Sequence, residues 1–268
     1  MSVARVNGVD LFFEELGSGE PILIMHGLGL DHHYLRPWHD PLADRARVIY
    51  YDHRWNGASG RVGEPDHAMW HADAAALLDH LGVARATIYG QSYGAWLALG
   101  FAARYPERVT RLIVSNGSPA FDYPDVVMAN AQKKDPAAAQ VLGAAFAALP
   151  TDDAGLGNMW HQILPLYFKG PPRPEILDGT TFSAHGFALG MAALAGFSMV
   201  ERLPAMRMPM LVLVGSDDYI TPPEQAHRIA GLAPDVTVVE LAASGHFPFV
   251  EEPAAYLAAI RSWLEQHT

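Results

Sequence analysis

The sequence predicts an α/β fold in which a mostly parallel central sheet is flanked by helices and carries a helical insertion. Three observations indicate this fold. Apolar runs of strand length alternate with helix-like stretches, the runs are apolar at almost every position, and the alternation stops between residues 119 and 203. Strands covered by helices on both faces need such continuous apolar runs.

A hairpin and six apolar runs are expected to form the sheet. Residues 3–15 alternate loosely around Asn7-Gly8, a dipeptide that is typical of hairpin turns. The six runs cover residues 21–25, 47–51, 86–89, 109–115, 210–214 and 236–241. We expect them to be the parallel strands.

Four helices are predicted between and after these strands. They cover residues 66–81, 93–105, 222–232 and 253–266. Pro106 marks the end of the second helix, since proline interrupts a helical pattern. The last two begin with Pro222 and Pro253, and proline is tolerated in a first helical turn.

Residues 119–203 are expected to form a mostly helical cap inserted into a core of residues 1–118 and 204–268. The alternative is a disordered linker, because the segment is rich in Ala, Gly and Pro. Its aromatic content argues against disorder. The aromatic residues are Phe146, Trp160, Tyr167, Phe168, Phe182, Phe187 and Phe197.

Composition limits the possible partners and compartments. The chain has 268 residues, no cysteine and a formal net charge of −11. The charge opposes binding to nucleic acid, and the missing cysteines exclude a disulfide framework and a thiolate nucleophile. No signal peptide and no apolar stretch of membrane-spanning length is evident. We therefore expect a cytoplasmic protein that acts on a small molecule without binding a membrane; its oligomeric state stays open.

Ser92 is the candidate nucleophile. Gly90-Gln91-Ser92-Tyr93-Gly94 matches G-x-S-x-G directly after a predicted strand and directly before a predicted helix. That context holds a serine hydroxyl exposed on a tight turn, where larger residues than glycine at 90 and 94 would collide. The alternative is a serine in an ordinary β–α turn.

Two backbone N–H groups are the candidate oxyanion donors. One belongs to Tyr93, which follows the nucleophile and opens a helix. The other belongs to Leu28, in the His26-Gly27-Leu28-Gly29 loop after an early strand. We interpret His26 as a hydrogen-bonded organiser of this loop rather than as a general base.

Asp218 and His246 are the candidate acid and base. Each follows a predicted strand, so both should lie at the same edge of the sheet as Ser92. Serine needs an adjacent base at neutral pH, and in this fold the acid and then the histidine follow the serine along the chain. Asp217 is the alternative acid.

Five segments together resemble the α/β-hydrolase superfamily. They are His26-Gly27, residues 52–59, residues 90–94, residues 215–222 and residues 245–253. They resemble, in this order, the family's oxyanion loop, its D-x-R-G-x-G-x-S segment, its nucleophile elbow, its acid loop and its histidine loop. The register of the acid loop favours Asp218 over Asp217. The resemblance implies the α/β-hydrolase fold.

The most similar branch is that of the proline-iminopeptidase-like hydrolases. Three segments carry this resemblance: residues 91–94, residues 105–108 and Thr221-Pro222. Three features differ from the family pattern, namely Trp55 at a usual glycine, Ala95 at a common second glycine and an HGLGL loop in place of HGGPG. Ser92 also argues against the dehalogenase and epoxide-hydrolase branches, which use aspartate there.

These residues predict a serine hydrolase that forms an acyl-enzyme on Ser92 and needs no cofactor. The histidine pairs His32-His33 and His67/His71 suggest a metal site. Residue 68 is alanine, so the H-E-x-x-H pattern is absent. We therefore expect no metal.

A small carboxylic ester or a lactone is the expected substrate. Trp160, Phe187 and Phe247 are candidate substrate-binding residues, and an apolar pocket suits a hydrophobic acyl group. Further candidates for the pocket are Tyr167, Phe168, Met191, Phe197 and Met199. One alternative is an iminopeptidase-like amide hydrolase, which would need a cap acid to hold a free amine: Asp122, Asp125, Glu175 or Glu201. Another is a small-molecule receptor that keeps the triad.

Overall fold

The hairpin and the six predicted strands form one eight-stranded sheet. The structure is a computed structural model that describes residues 2–267. The strands are β1 (Ser2–Val6), β2 (Val9–Leu16), β3 (Glu20–Met25), β4 (Ala46–Tyr51), β5 (Ala86–Gln91), β6 (Val109–Ser115), β7 (Met210–Gly215) and β8 (Val236–Leu241). Asn7 and Gly8, with φ of 45° and 74°, make the β1–β2 turn.

The strand order is β1-β2-β4-β3-β5-β6-β7-β8. β2 pairs antiparallel with β1 and β4, and all other pairs are parallel. Strands β3 to β8 therefore end at one edge of the sheet, which is the edge where open α/β sheets bind ligands.

Within residues 2–267, ten α-helices flank the sheet. They are α1 (Arg36–His39), α2 (His67–His80), α3 (Tyr93–Arg104), α4 (Pro124–Lys134), α5 (Pro136–Ala147), α6 (Asp153–Ile163), α7 (Ala184–Leu194), α8 (Pro223–Leu232), α9 (Pro248–Glu251) and α10 (Pro253–Gln266). The four helices predicted from the sequence correspond to α2, α3, α8 and α10. The short helices α1 and α9 lie in segments where the sequence shows no helical periodicity.

The segment between β6 and β7 contains α4 to α7, so the predicted insertion is helical. Both ends of the insertion meet: Ala120 and Ser198 form an antiparallel bridge, and Met199 N–H donates to the Pro119 carbonyl over 2.7 Å. The insertion therefore leaves the core and returns to it at one place.

The core lies on both faces of the sheet because strand residues alternate between the faces. Ile22 and Ile24 of β3 join one apolar cluster, which includes α10 and the cap. Leu23 and Met25 join the other, which includes α2 and α3. Burying each such side chain contributes about 1.5–3 kcal/mol.

Residues 2–267 contain no helix that is both long enough and apolar enough to span a bilayer.

Candidate active site

Ser92 sits on a strained turn between β5 and α3, with φ of 55° and ψ of −121°. A side chain on Gly90 would collide with the backbone of Gly94, and one on Gly94 with the backbone of Met25. Glycine is therefore required at both positions for the turn to form. Such strain is common where a side chain must be held for chemistry.

Asp218 and His246 form a buried pair. His246 Nδ1 lies 2.8 Å from Asp218 Oδ2, and both side chains are fully buried. His246 Nε2 has no hydrogen-bond partner in the part of the chain that the structure describes. Ser92 and His246 line the same cavity. The structure therefore brings the three candidate catalytic residues to one place, with Nε2 available to a group in the cavity.

The Asp218 carboxylate accepts hydrogen bonds on both oxygens. Oδ1 accepts from the N–H groups of Ile220 and Thr221, at 2.9 and 3.0 Å. Oδ2 accepts from Thr221 Oγ1 at 2.6 Å and from Asn116 Nδ2 at 2.8 Å, besides facing His246. Burial alone raises the pKa of Asp218, but His246 and these donors outweigh it and hold the pKa below the usual range.

Asp217, the alternative acid, lies outside this cluster. Its side chain is half exposed and its Oδ2 lies 2.5 Å from Lys134 Nζ. It therefore forms a surface ion pair, whereas Asp218 turns inward.

Asn116 is a site residue that the sequence patterns do not identify. It directly follows β6, has φ of 51° and is fully buried, and its Nδ2 donates to Asp218 and lies 3.4 Å from the Gly245 carbonyl. Asparagine adopts positive φ more readily than most residues. The Asn-Gly pair after a predicted strand indicates a turn, but not this contact.

The N–H groups of Leu28 and Tyr93 are available at the cavity. Both residues line it. Tyr93 is the first residue of α3, so its N–H has no partner within the helix. Neither N–H makes a hydrogen bond to another of residues 2–267. This arrangement is what an oxyanion hole requires.

A chain of hydrogen bonds joins the oxyanion loop to the histidine loop. Gly27 N–H donates to Tyr34 Oη at 2.7 Å, and Tyr34 Oη donates to Gln91 Oε1 at 2.7 Å. Gln91 Nε2 in turn donates to the His246 carbonyl at 3.2 Å. Tyr34 and Gln91 are buried, and burial raises the pKa of Tyr34 well above its usual value, so the phenol stays protonated.

His26 holds the loop from behind the cavity. Its Nε2 accepts the His53 N–H at 3.0 Å, so its Nδ1 carries the proton and donates to the Gly27 carbonyl at 2.9 Å. Burial lowers the pKa of His26 well below its usual value. These contacts suit an organiser of the loop, and His26 does not line the cavity.

The cavity wall is almost entirely apolar. It includes the three candidate substrate-binding residues Trp160, Phe187 and Phe247, together with Tyr167 and Met191. The other candidates, Phe168, Phe197 and Met199, lie outside this wall. Among the described residues, no Asp, Glu, Lys or Arg lines it, so the cap acids Asp122, Asp125, Glu175 and Glu201 also lie elsewhere.

One ring nitrogen of His32 and one of His67 make hydrogen bonds to neighbouring side chains. His67 Nε2 shares a hydrogen bond of 3.0 Å with Tyr93 Oη. Asp31, His32 and His33 have polar atoms within 4.8 Å of one another. However, His32 Nδ1 lies 2.8 Å from Asp52, and Asp31 accepts backbone N–H groups. Loop hydrogen bonds therefore hold Asp31 and His32 Nδ1.

The model of the α/β hydrolase fold family matches residues 20–253. The chain belongs to the α/β-hydrolase family. It is 28% identical to a Caulobacter protein named "Putative carbamate hydrolase RutD", over 96% of each chain. It is 27% identical to a proline iminopeptidase of Lactiplantibacillus plantarum, over 97% of this chain and 99% of the relative.

A solved structure with a similar fold is a thermophilic esterase from Thermogutta terrifontis. It has a TM-score of 0.79 and 26% identity, and the match covers 99% of this chain and 98% of the esterase. These similarities establish a hydrolase of the α/β-hydrolase family, while the relatives differ in the bonds that their names describe.

Trp55 shows how this α/β-hydrolase accommodates a departure from the family pattern. Its φ is 73°, a conformation that favours glycine. The indole ring packs against the His185 ring of α7 at a tilt of 47°, with 4.1 Å between ring centroids, and its Nε1 donates to the Gly63 carbonyl. The side chain thus gains contacts with the cap that glycine would lack.

Proposed function

We propose that this chain is a serine hydrolase that cleaves a small carboxylic ester or lactone with an apolar acyl group, through an acyl-enzyme on Ser92. One observation carries the proposal: the same apolar cavity is lined by Ser92 and by His246, whose Nε2 has no partner among residues 2–267 and whose Nδ1 faces the buried Asp218. A nucleophile, a base and an orienting acid are the parts that acyl transfer needs.

In the proposed cycle, His246 Nε2 takes the Ser92 proton as Ser92 Oγ attacks the carbonyl carbon. Asp218 holds the imidazole tautomer that leaves Nε2 free and stabilises the imidazolium that forms. His246 then protonates the leaving oxygen, whose bond to the carbonyl carbon breaks. A water deprotonated by His246 attacks the acyl-enzyme, and the acid leaves as Ser92 recovers its proton.

The N–H groups of Leu28 and Tyr93 stabilise the negative oxygen of each tetrahedral intermediate. Removing a donor of this kind from a hydrolase costs about 10²–10³ in kcat. Tyr34 and Gln91 support the same geometry, because their hydrogen bonds connect the Gly27 N–H with the His246 backbone.

The size of the cavity favours a short acyl group. Its volume is about 50 Å³. This volume is far below the about 300–1,000 Å³ of pockets that take drug-sized ligands, so the cavity has room for a short acyl chain only. With an apolar wall, this space suits an acetyl to butyryl group better than a long or charged one.

The wall argues against the iminopeptidase alternative. A free amine enters a buried apolar site only with a partner for its charge. Asp122, the first of the cap acids, instead pairs with Arg228 at the surface, with 2.7 Å between Oδ1 and Nη1. Similarity to a proline iminopeptidase therefore extends to the fold and the hydrolase class, but the lining supports an ester or lactone.

A substrate panel tests the proposal. We expect kcat/KM to be highest for p-nitrophenyl acetate or butyrate and to fall for the octanoate, while proline β-naphthylamide and a phenyl carbamate are cleaved poorly. Ser92→Ala should lower kcat by about 10⁴–10⁶. Ser262→Ala is the matched control, because Ser262 is exposed on α10.

Three outcomes would reject the proposal or part of it. Substantial activity in Ser92→Ala would reject the nucleophile. Preference for the proline amide or the carbamate would reject the ester assignment. Stoichiometric binding with negligible turnover would favour the receptor alternative.

A further inference from the structure

We infer that cap helix α7 is part of the oxyanion hole's support, and that Gly190 is a positioning residue for the two donor residues, Leu28 and Tyr93. The inference rests on the proposed function, because it needs those two N–H groups to be the donors. It gives the cap a role in catalysis itself, beyond enclosing the substrate.

The backbone of α7 lies directly on the side chains of both donor residues. A Cβ atom at Gly190 would collide with Leu28 Cδ1 and would lie 3.1 Å from Tyr93 Cζ and 3.3 Å from Tyr93 Oη. Glycine within a helix costs about 1 kcal/mol relative to alanine. This close approach is a physical reason for glycine at position 190.

The N-terminal end of α7 is attached to the same loop. Ser183 N–H donates to the Gly29 carbonyl over 2.9 Å. Gly29 has φ of 67°, and a Cβ atom there would lie 2.8 Å from Phe187 Cβ. Leu28 is thus held between a hydrogen bond beside it and a helix above it.

Tyr93 has little freedom to move away from α7. Its ring packs edge-on against Trp70, with 5.9 Å between ring centroids, and its hydroxyl shares the 3.0 Å hydrogen bond with His67. A methyl group at position 190 must therefore be accommodated mainly by Leu28, the residue that carries the second donor N–H. Gly190 does not line the cavity, so a methyl group there acts through its neighbours.

The test compares Gly190→Ala with Gly143→Ala. Gly143 is also in a cap helix, and a Cβ atom there would meet only Met128 Cε, at 3.4 Å. For p-nitrophenyl butyrate, we expect Gly190→Ala to lower kcat by about tenfold or more with little change in KM, since a 1 Å misplacement of a catalytic group can cost ~10² in rate. Gly143→Ala should retain wild-type kcat and KM.

Inhibitor affinity separates a displaced oxyanion hole from a changed pocket. A trifluoromethyl ethyl ketone forms a hemiketal: Ser92 Oγ bonds the carbonyl carbon, the carbonyl π pair becomes an alkoxide, and the serine proton moves to His246. Methyl ethyl ketone binds as the neutral ketone. In Gly190→Ala the fluorinated ketone should lose about tenfold or more in affinity, and methyl ethyl ketone less than about twofold.

The double variant Leu28→Ala/Gly190→Ala provides a second test if Gly190→Ala folds poorly. Removing the Leu28 side chain makes room for the new methyl group while leaving the Leu28 N–H in place. The double variant should therefore approach the kcat of Leu28→Ala alone, as contacting residues couple non-additively.

Two results would overturn the inference. One is wild-type kcat in Gly190→Ala, and the other is an equal loss of affinity for both ketones. If instead the wild-type protein cleaved no ester and formed no hemiketal, the proposed function would fail, and the inference with it.

Discussion

Asn116 donates a hydrogen bond from Nδ2 to Asp218 Oδ2 over 2.8 Å, and the same amide lies 3.4 Å from the Gly245 carbonyl. It thereby connects three strand ends: its own at β6, the acid loop after β7 and the histidine loop after β8. A buried carboxylate that orients a base gains from a fixed donor on the oxygen facing that base.

We expect Asn116→Ala to lower kcat/KM by about tenfold or more, since a hydrogen bond to a charged group contributes about 1.5–3 kcal/mol. Asn116→Asp places a second carboxyl group against Asp218. Two adjacent carboxylates cannot both ionise easily, so one retains a proton more readily as the pH falls. A protonated Asp at 116 donates as asparagine does.

The kinetic signature is therefore a ratio. Activity of Asn116→Asp relative to wild type should rise as pH falls from about 8 to 5, whereas the ratio for Asn116→Ala stays flat. Steady-state kcat/KM profiles measure both. A flat ratio for both variants would mean that Asn116 acts only on folding.

The strain at Ser92 predicts an unusual order of stability. With φ of 55° and ψ of −121°, position 92 favours glycine, which has no Cβ penalty there. Ser92→Gly should be more stable than Ser92→Ala by about 1 kcal/mol, although alanine is usually the better choice beside a helix. Both variants lack the nucleophile, so denaturant unfolding compares them without substrate effects. Equal stabilities would mean that the turn carries no strain.

The fold predicted from the sequence is confirmed, because it depends on local patterns. Continuous apolar runs identify β3 to β8, and a reactive side chain after each of three runs makes Ser92, Asp218 and His246 the predicted triad. The contacts of Asn116 and Gly190 depend instead on packing between segments far apart in the chain. No local periodicity encodes the approach of α7 to the oxyanion loop.

Buried histidine makes the fold sensitive to acid. His39 is fully buried, with Nδ1 2.8 Å from the Leu35 carbonyl and Nε2 2.9 Å from Tyr89 Oη. Burial lowers its pKa to about 4. The histidine of the unfolded chain therefore takes up a proton near pH 6.5, whereas His39 of the native state takes one up only near pH 4. Between these two values the free energy of unfolding falls as the pH drops, by up to ~1.4 kcal/mol per pH unit.

Removing this histidine should remove its share of the pH dependence. The stability difference between wild type and His39→Gln, measured by urea unfolding, should narrow as pH falls from about 6.5 to 4. His227→Gln, at an exposed position on α8, is the control. The stability difference between wild type and His227→Gln should stay constant over the same pH range. If the stability difference between wild type and His39→Gln stayed the same or widened toward acid pH, the burial argument would be contradicted.

Met159 lines the wall of the proposed acyl site. It is buried on α6 and lines the cavity beside Trp160 and Ile163. Met159→Ala removes part of the wall, so longer acyl chains should enter. Two further methylene groups buried at about 0.8 kcal/mol each would raise the ratio of hexanoate to butyrate kcat/KM about tenfold or more.

Met206→Ala is the matched control, because Met206 is equally buried but lies away from the cavity. Both variants lose a buried side chain and about 2–5 kcal/mol of stability, so only a change in chain-length preference distinguishes the cavity wall from the general core. If both variants kept the wild-type preference, the acyl group would have to bind elsewhere than against α6.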